Sequence, residues 1–423
     1  MRSKPSLWLT LALLPAIAAP VLGQPRPLGD EFRVNANTPY KQRNPVAAFN
    51  AGGSALVVWE NDRAGLRGRI YDRNGSPVTS ELSLVANQTL SRIPGQGLEI
   101  IRKEPAVAAL STGDFLLAWT EERDDVSADL FMETRDVLDR DVYVQKVSAA
   151  GVPVGSPLRV NATTNGFQSN PRILVRNNAD AVVAWQSDDR TASKLGDGIF
   201  ARLVRTSNVQ TTSGELKLSS VAGFAANASL AAGANGSFAV AWEAADADSQ
   251  GVYVRLFDRS ASPRGTEFRV NTTVAGLQRR AAITADPNTG GYLVVWQGQA
   301  GTIKDSHIYG QFLGAGGNFV GPQIRVSQGV AQGQISPSIA GLNGHFLVVW
   351  ADYADIFPVG VFGVEIDRLG NAVGSEVEIN SAPINAISRT AIAVSPLGDV
   401  LIPWEGFTSD PSSPGIAARR VDF

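Results

Sequence analysis

The chain has no cysteine, and only two histidines and two methionines among its 423 residues. Without cysteine there is no disulfide, no thiolate nucleophile and no lipid-attachment thiol, so the fold must be held by its core alone. His307 and His345 fall in unrelated segments. No two-histidine transition-metal site and no Ser-His-Asp or Cys-His nucleophile system is therefore expected. Charged residues make up only 18%, with 37 Lys plus Arg against 40 Asp plus Glu. That balance disfavours nucleic acid as a partner.

Long apolar runs are also scarce. The one at Leu7 to Ala19 follows Arg2 and Lys4, is broken by Pro15, and gives way to small residues up to Gly23. This is the pattern of a secretory leader, and it is too short for a bilayer span. We expect residues 1–23 to be a signal peptide and 24–423 to be one exported domain, periplasmic or extracellular, monomeric and without a membrane span. Loss of Arg2 and Lys4 would leave that domain with a net charge of −5.

What is abundant is glycine (42), proline (23) and apolar residues (44%), a composition suited to a turn-rich β protein. Seven short apolar runs end in tryptophan, at Trp59, Trp119, Trp185, Trp242, Trp296, Trp350 and Trp404. Their spacings of 60, 66, 57, 54, 54 and 54 residues mark a repeat. Runs such as LVVW and FLVVW do not alternate apolar with polar, so each predicts a strand covered on both faces. A second motif does alternate: EFRVN at Glu31 to Asn35 and Glu267 to Asn271, LRVN at Leu158 to Asn161, and variants beginning at Glu81, Glu215, Gln323 and Glu376. It predicts a strand with one wet side at the outer edge of a sheet. Turn residues such as Asn74-Gly75 and Leu369-Gly370-Asn371 separate the segments.

Four antiparallel strands per unit and seven units predict an all-β, seven-bladed β-propeller. A sandwich is the runner-up, but it does not need seven equivalent tryptophans. Each Trp is expected to fill the wedge between neighbouring blades. The first EFRVN precedes any Trp strand, while the chain ends inside the third strand of unit seven. The N-terminal strand is therefore expected to complete the last blade beside Ile416 to Val421, which leaves no bare edge.

The spelled-out unit, an RVN strand, a short apolar strand, a run to Trp and a strand leading to a Gly-Asn turn, resembles the propeller repeats of large secreted bacterial proteins, often found beside haemolysin-type calcium-binding repeats. The resemblance covers about Glu31 to Phe423 and implies fold, not catalytic residues. Sialidase-type propellers are less similar, because their Ser-x-Asp-x-Gly-x-Thr-Trp turn is absent, and Kelch and WD signatures are absent too.

Acids follow most tryptophans, including Glu60, Asp62, Asp188, Asp189, Asp352 and Asp355. They predict an electronegative rim that binds a protein, glycan or cation. Asp246-x-Asp248, with Gln250 and Gly251, and the stretch Asp136 to Asp141 have oxygen-rich spacing suited to calcium, without the complete loop pattern. Unit two departs most from the repeat, with enlarged loops at Asn87 to Glu104 and Glu122 to Arg140 that should touch. The second carries a local charge of −6 from Glu121 to Asp141, and Leu130 to Leu138 suggests a short helix. Glu122, Asp124, Asp125, Asp129, Phe131, Asp136 and Asp139 are the candidate ligand-binding residues. The loop aromatics are Tyr40, Phe131, Tyr353, Phe357 and Phe407. The function expected is a binding or scaffold module. The alternative is a carboxylate-dependent enzyme acting on polysaccharide, since paired acids suffice for that chemistry.

Overall fold

The computed structural model describes residues 25–36, 40–90, 96–129, 132–164, 166–176, 179–188, 197–220, 224–247, 249–273, 275–329, 333–342, 344–354, 357–381, 389–406 and 415–422. The expected leader lies outside them. Among the described residues the only helical segments are two single turns, Ala234–Gly236 and Ile303–Asp305, and none is long and apolar enough to cross a membrane. Everything else is strand, turn or irregular chain.

Each tryptophan lies in the second strand of an antiparallel set. In unit one Gln42–Phe49 pairs with Ala55–Asn61, which pairs with Gly65–Tyr71, which pairs with Leu82–Val85. Unit four repeats this with Ala225–Ala232, Phe238–Ala245, Gln250–Phe257 and Phe268–Arg269. The N-terminal strand Arg26–Arg33 pairs with Gly415–Asp422, with Pro27 opposite Val421 and Arg33 opposite Ala417. The strand made first thus becomes the fourth strand beside the last one made.

The apolar runs that lead to Trp are buried, as their lack of alternation requires; Ala55–Asn61 and Val400–Gly406 are buried at every position. Successive residues point to opposite faces, so each Trp strand serves two cores at once. Leu56 and Val58 pack with Phe115, Leu117 and Trp119 of the next unit. Val57 and Trp59 pack instead with Val34, Leu401, Ile416 and Ala418, from the two ends of the chain. The same exchange gives Val182 and Ala184 with Trp242, and Leu293 and Val295 with Trp350. All seven indoles are at most 1% exposed, each contributing roughly 2–3 kcal/mol by burial.

The outer-strand motif proves to carry two polar joints. Its terminal Asn or Ser accepts a backbone N–H from the third strand of its own sheet: Asn161 Oδ1 from Val142 (2.7 Å), Asn271 from Val252 (2.8 Å), Asn35 from Ile416 (2.8 Å) and Ser327 Oγ from Ile308 (3.0 Å). Its leading Glu or Gln reaches back to the preceding unit. Glu267 accepts from Ser220 N (2.6 Å), Gln323 from Thr272 N (2.9 Å), Glu31 from Ser381 N (2.9 Å) and Glu81 from Ala36 N (2.9 Å). An arginine on several third strands adds a third joint, as Arg202 to Val160 O (2.9 Å) and Arg419 to Ile379 O (2.8 Å). Backbone donors and acceptors at these edges would otherwise be buried unpaired. The expected glycine turns are present, with Gly75, Gly317 and Gly370 at φ of 81–87°.

Candidate functional site

The enlarged region of unit two is not a pair of loops. Gln96–Ala109, Phe115–Asp129 and Met132–Val147 form three long antiparallel strands, and of the stretch expected to be helical the described residues 132–138 belong to the last of them. The two segments do touch, with Leu98 opposite Asp125 and Glu99 opposite Asp124. Alternating side chains across a strand put the acids against cations on neighbouring strands. Glu122 accepts from both Lys103 Nζ and Arg140 Nε. Arg102 meets Glu121 at 3.1 Å, and Arg123 reaches Asp139 at 3.5 Å and Asp141 at 3.9 Å. Burial, reinforced by Asp141, pushes the Asp139 carboxyl up. Asp124 is buried, while Asp125 and Asp136 face each other at the exposed end. The side chain of Asp129 and the whole of Phe131 lie outside the described residues, as do Asp248, Asp355, Asp189 and Phe407.

Other rim expectations change likewise. Glu60, Asp188 and Asp352 are strand residues, and Tyr353 and Phe357 also lie in strands. His345 opens a strand, and its Nδ1 lies 2.5 Å from the buried Glu365. Asp246 accepts from Ser249 N (2.9 Å) and lies 3.8 Å from Arg269. Among the described residues no group of three or more His, Cys, Asp or Glu is arranged to hold a metal ion.

A different place stands out from the repeat. Six first strands carry a register shift at the same point, with Asn44, Glu104, Asn170, Asn227, Arg280 and Ser336 at φ of 49–55°. Asn tolerates this left-handed backbone, whereas Glu104, Arg280 and Ser336 hold it at a cost of about 1 kcal/mol or more each. The bulge turns a backbone N–H toward the preceding sheet. There the residue after Trp accepts it: Glu60 from Glu104 N, Thr120 from Asn170 N (3.1 Å) and Glu243 from Arg280 N (2.7 Å). The polar-proline pairs Asn44-Pro45, Glu104-Pro105, Asn170-Pro171 and Ser336-Pro337 were a readable sign of these bulges.

The bulged strands converge on a cavity of about 280 Å³ lined by all seven units, through Val46, Val107, Arg172, Ser229, Ile283, Ile339 and Ile392 among others. A second pocket of about 280 Å³ adjoins it, sharing Arg172, Ser229, Ser338 and Arg389 and adding Asn227, Arg280 and Ser336. Three guanidinium groups therefore meet in one concavity. Arg172 donates to Asn170 Oδ1 and Pro171 O, both at 2.9 Å, and Arg280 donates to Ser336 Oγ. The nearby carboxylates face along the joints: Glu104 Oε2 accepts from Thr120 Oγ1 (2.7 Å) and Asn170 N (2.7 Å), and Glu243 Oε1 from Asn227 Nδ2 (2.6 Å). Crowding by protein, then the Arg389 charge, brings Arg172 down to about 10 against the pull of Glu104. Arg280 is lowered too, by desolvation first, then by Arg279 and Arg389. Burial pushes Glu60 up, against the hydrogen bonds it accepts from Glu104 N and Asn44, with the Glu104 charge adding a smaller push and Arg389 opposing.

No protein-family model matches the chain, and no curated protein matches it in sequence. Solved structures do. An ulvan lyase, described as a new family of polysaccharide lyase, is similar over 93% of this chain and 96% of its own, at 11% identity and a TM-score of 0.58. A protein of unknown function from Dyadobacter fermentans is similar over 94% and 99%, at 10% identity and a TM-score of 0.52. At such identity the likeness concerns the fold, which is all-β and multi-sheeted in this chain.

Proposed function

We propose that the chain is an exported seven-bladed propeller that engages a polysaccharide in the axial pocket rather than on the acidic rim. The ring is supported by the pairing of Arg26–Arg33 with Gly415–Asp422 and by the core that Val34, Leu401 and Ile416 share with Trp59. Export rests on the leader pattern at residues 1–23. The repeat kind remains the one resembling large secreted bacterial proteins. The observation that carries the function is a pair of adjoining concavities on the first strands, one lined by residues of all seven units and the other by Arg172, Arg280 and Arg389 together. Concave sites with a few convergent polar groups are where ligands bind. The comparison with a polysaccharide lyase adds weight to a glycan over a protein partner.

Catalysis on that polysaccharide is the second reading. It suits the similar lyase better than a rim scaffold does, and Glu60, pushed up by burial beside Glu104, is the kind of acid such chemistry uses. Both readings are tested by plugging the pocket with Ala282→Trp, a residue lining both cavities. Binding to a panel of soluble polysaccharides, followed by calorimetry, should be lost in that variant. Shortening of the bound polymer by the unaltered protein would establish the enzyme; unchanged binding in the plugged variant would remove the site from the axis.

A further inference from the structure

Three arginines from three different units line one pocket: Arg280 is the bulge residue of its strand, Arg389 stands at the corresponding position of unit seven, just before the Thr390 that bridges to Trp404, and Arg172 lies two beyond the bulge residue of its own strand. The corresponding residues in unit one are Asn44 and Val46. The repeat therefore does not require these cations. They also cost the fold something, because Arg389 lies close enough to weaken the charged state of both Arg172 and Arg280. None of the three is in an ion pair with a described carboxylate, and Arg389 donates no side-chain hydrogen bond to a described residue. Glu60, Glu104 and Glu243 stand near but spend their oxygens on the joints between units, against Glu104 N, Asn170 N and Arg280 N. The protein as a whole is acidic, with a pI near 5.6, so this cationic concavity opposes the general charge.

Resting on the pocket assignment above, we propose that the sugar seated there is anionic and carries a carboxylate, as in a polyuronate. A planar guanidinium fork matches a planar carboxylate with two parallel hydrogen bonds, and an anion among the three arginines would relieve their mutual repulsion. Ser336 and Ser338 supply hydroxyls, and Asn227 an amide, for the remaining sugar oxygens. Arg172, lowered only to about 10, is still cationic at neutral pH, where a uronate is ionised.

The test uses the full chain and oligomers of galacturonate, mannuronate and glucuronate, each beside its methyl ester, with a sulfated dextran oligomer as a further arm. At least one acid should bind, its ester about ten- to a hundred-fold more weakly. Arg389→Ala should lose a similar factor for the acid and leave its melting temperature unchanged or raised; Arg172→Gln should lose affinity as well. Equal binding of acid and ester, or undiminished binding by Arg389→Ala, overturns the carboxylate while leaving a glycan pocket in place. Sulfated dextran bound as tightly as the best uronate, with the same dependence on Arg389, overturns it in favour of a sulfate ester. If neither acids nor esters bind, the pocket assignment falls with it.

Discussion

The hairpin of unit two and the axial pocket are both charged, yet they are built on opposite terms. Along the hairpin, Glu121, Glu122, Asp139 and Asp141 each face Arg or Lys on the same or a neighbouring strand, while Asp125 and Asp136 lie opposite each other at its exposed end. In the pocket, three arginines meet with their charges facing one another and the nearby carboxylates engaged elsewhere. Charge that is paired within the fold serves the fold, whereas cations gathered in a concavity without an ion-pair partner among the described carboxylates are the feature on which the proposed site rests. Counting acids along the sequence points to the hairpin; the proposed pocket is cationic.

Both regions hang on the same tryptophan cores, so the largest effect should be shared. Trp296→Ala should destabilise by about 3–5 kcal/mol through a cavity between units, measured by denaturant unfolding, and should melt hairpin and pocket together. A loss below about 1 kcal/mol would place that indole outside the core. Removing residues 24–35 strips the strand that covers Gly415–Asp422 and should produce concentration-dependent association at the bared edge. Light scattering that stays monomeric, with an unchanged melting point, would break the proposed closure.

The comparison itself is sharpened by deleting one charge from each region. Glu122→Gln leaves Lys103 and Arg140 partly buried without their acceptor charge and should cost about 2 kcal/mol, less than a fully buried pair because both cations reach solvent. Arg389→Ala should stay within about 0.5 kcal/mol of the unaltered protein. Equal losses in the two variants would erase the distinction between paired and gathered charge.

Asp352 is the acidic mirror of the pocket arginines, a lone buried carboxyl pushed up to about 7 by burial and then by Glu376. The folded state keeps a proton that the unfolded chain releases in the ordinary carboxylate range. Stability from this group is present at acid pH and lost as pH rises toward and through about 7. Asp352→Asn should flatten that decline and raise the melting temperature more at pH 8 than at pH 5; a parallel shift at both would mean the carboxyl is already ionised. Smallest of all should be the effect of replacing residues 124–139 with a short Gly-Asn turn, which should leave pocket affinity within about two-fold while Glu122 keeps Lys103 and Arg140. Loss of all binding would return the site to the hairpin.

The fold was legible because burial on both faces leaves a mark that strand periodicity can read. LVVW and its copies lack polar alternation for the same reason that Leu56 and Val57 serve different cores. EFRVN gave away its exposed face, but not that Glu267 holds the preceding unit or that Asn271 caps its own sheet, since those partners lie 47 and 19 residues away. The hairpin was misread as loop and helix because its alternation is written in charges instead of apolar residues, and a charge pair stabilises a strand only once a neighbour supplies the other half.

By itself, then, the sequence determined the repeat, the strands, the tryptophan cores and the pairing of the two chain ends, because each follows from local patterning and from the need to leave no edge or apolar face bare. Only the tertiary structure brings together the pocket proposed as the binding surface. Arg172, Arg280 and Arg389 come from units three, five and seven, more than a hundred residues apart at each step. No spacing rule links them; what joins them is the convergence of their first strands on one pocket.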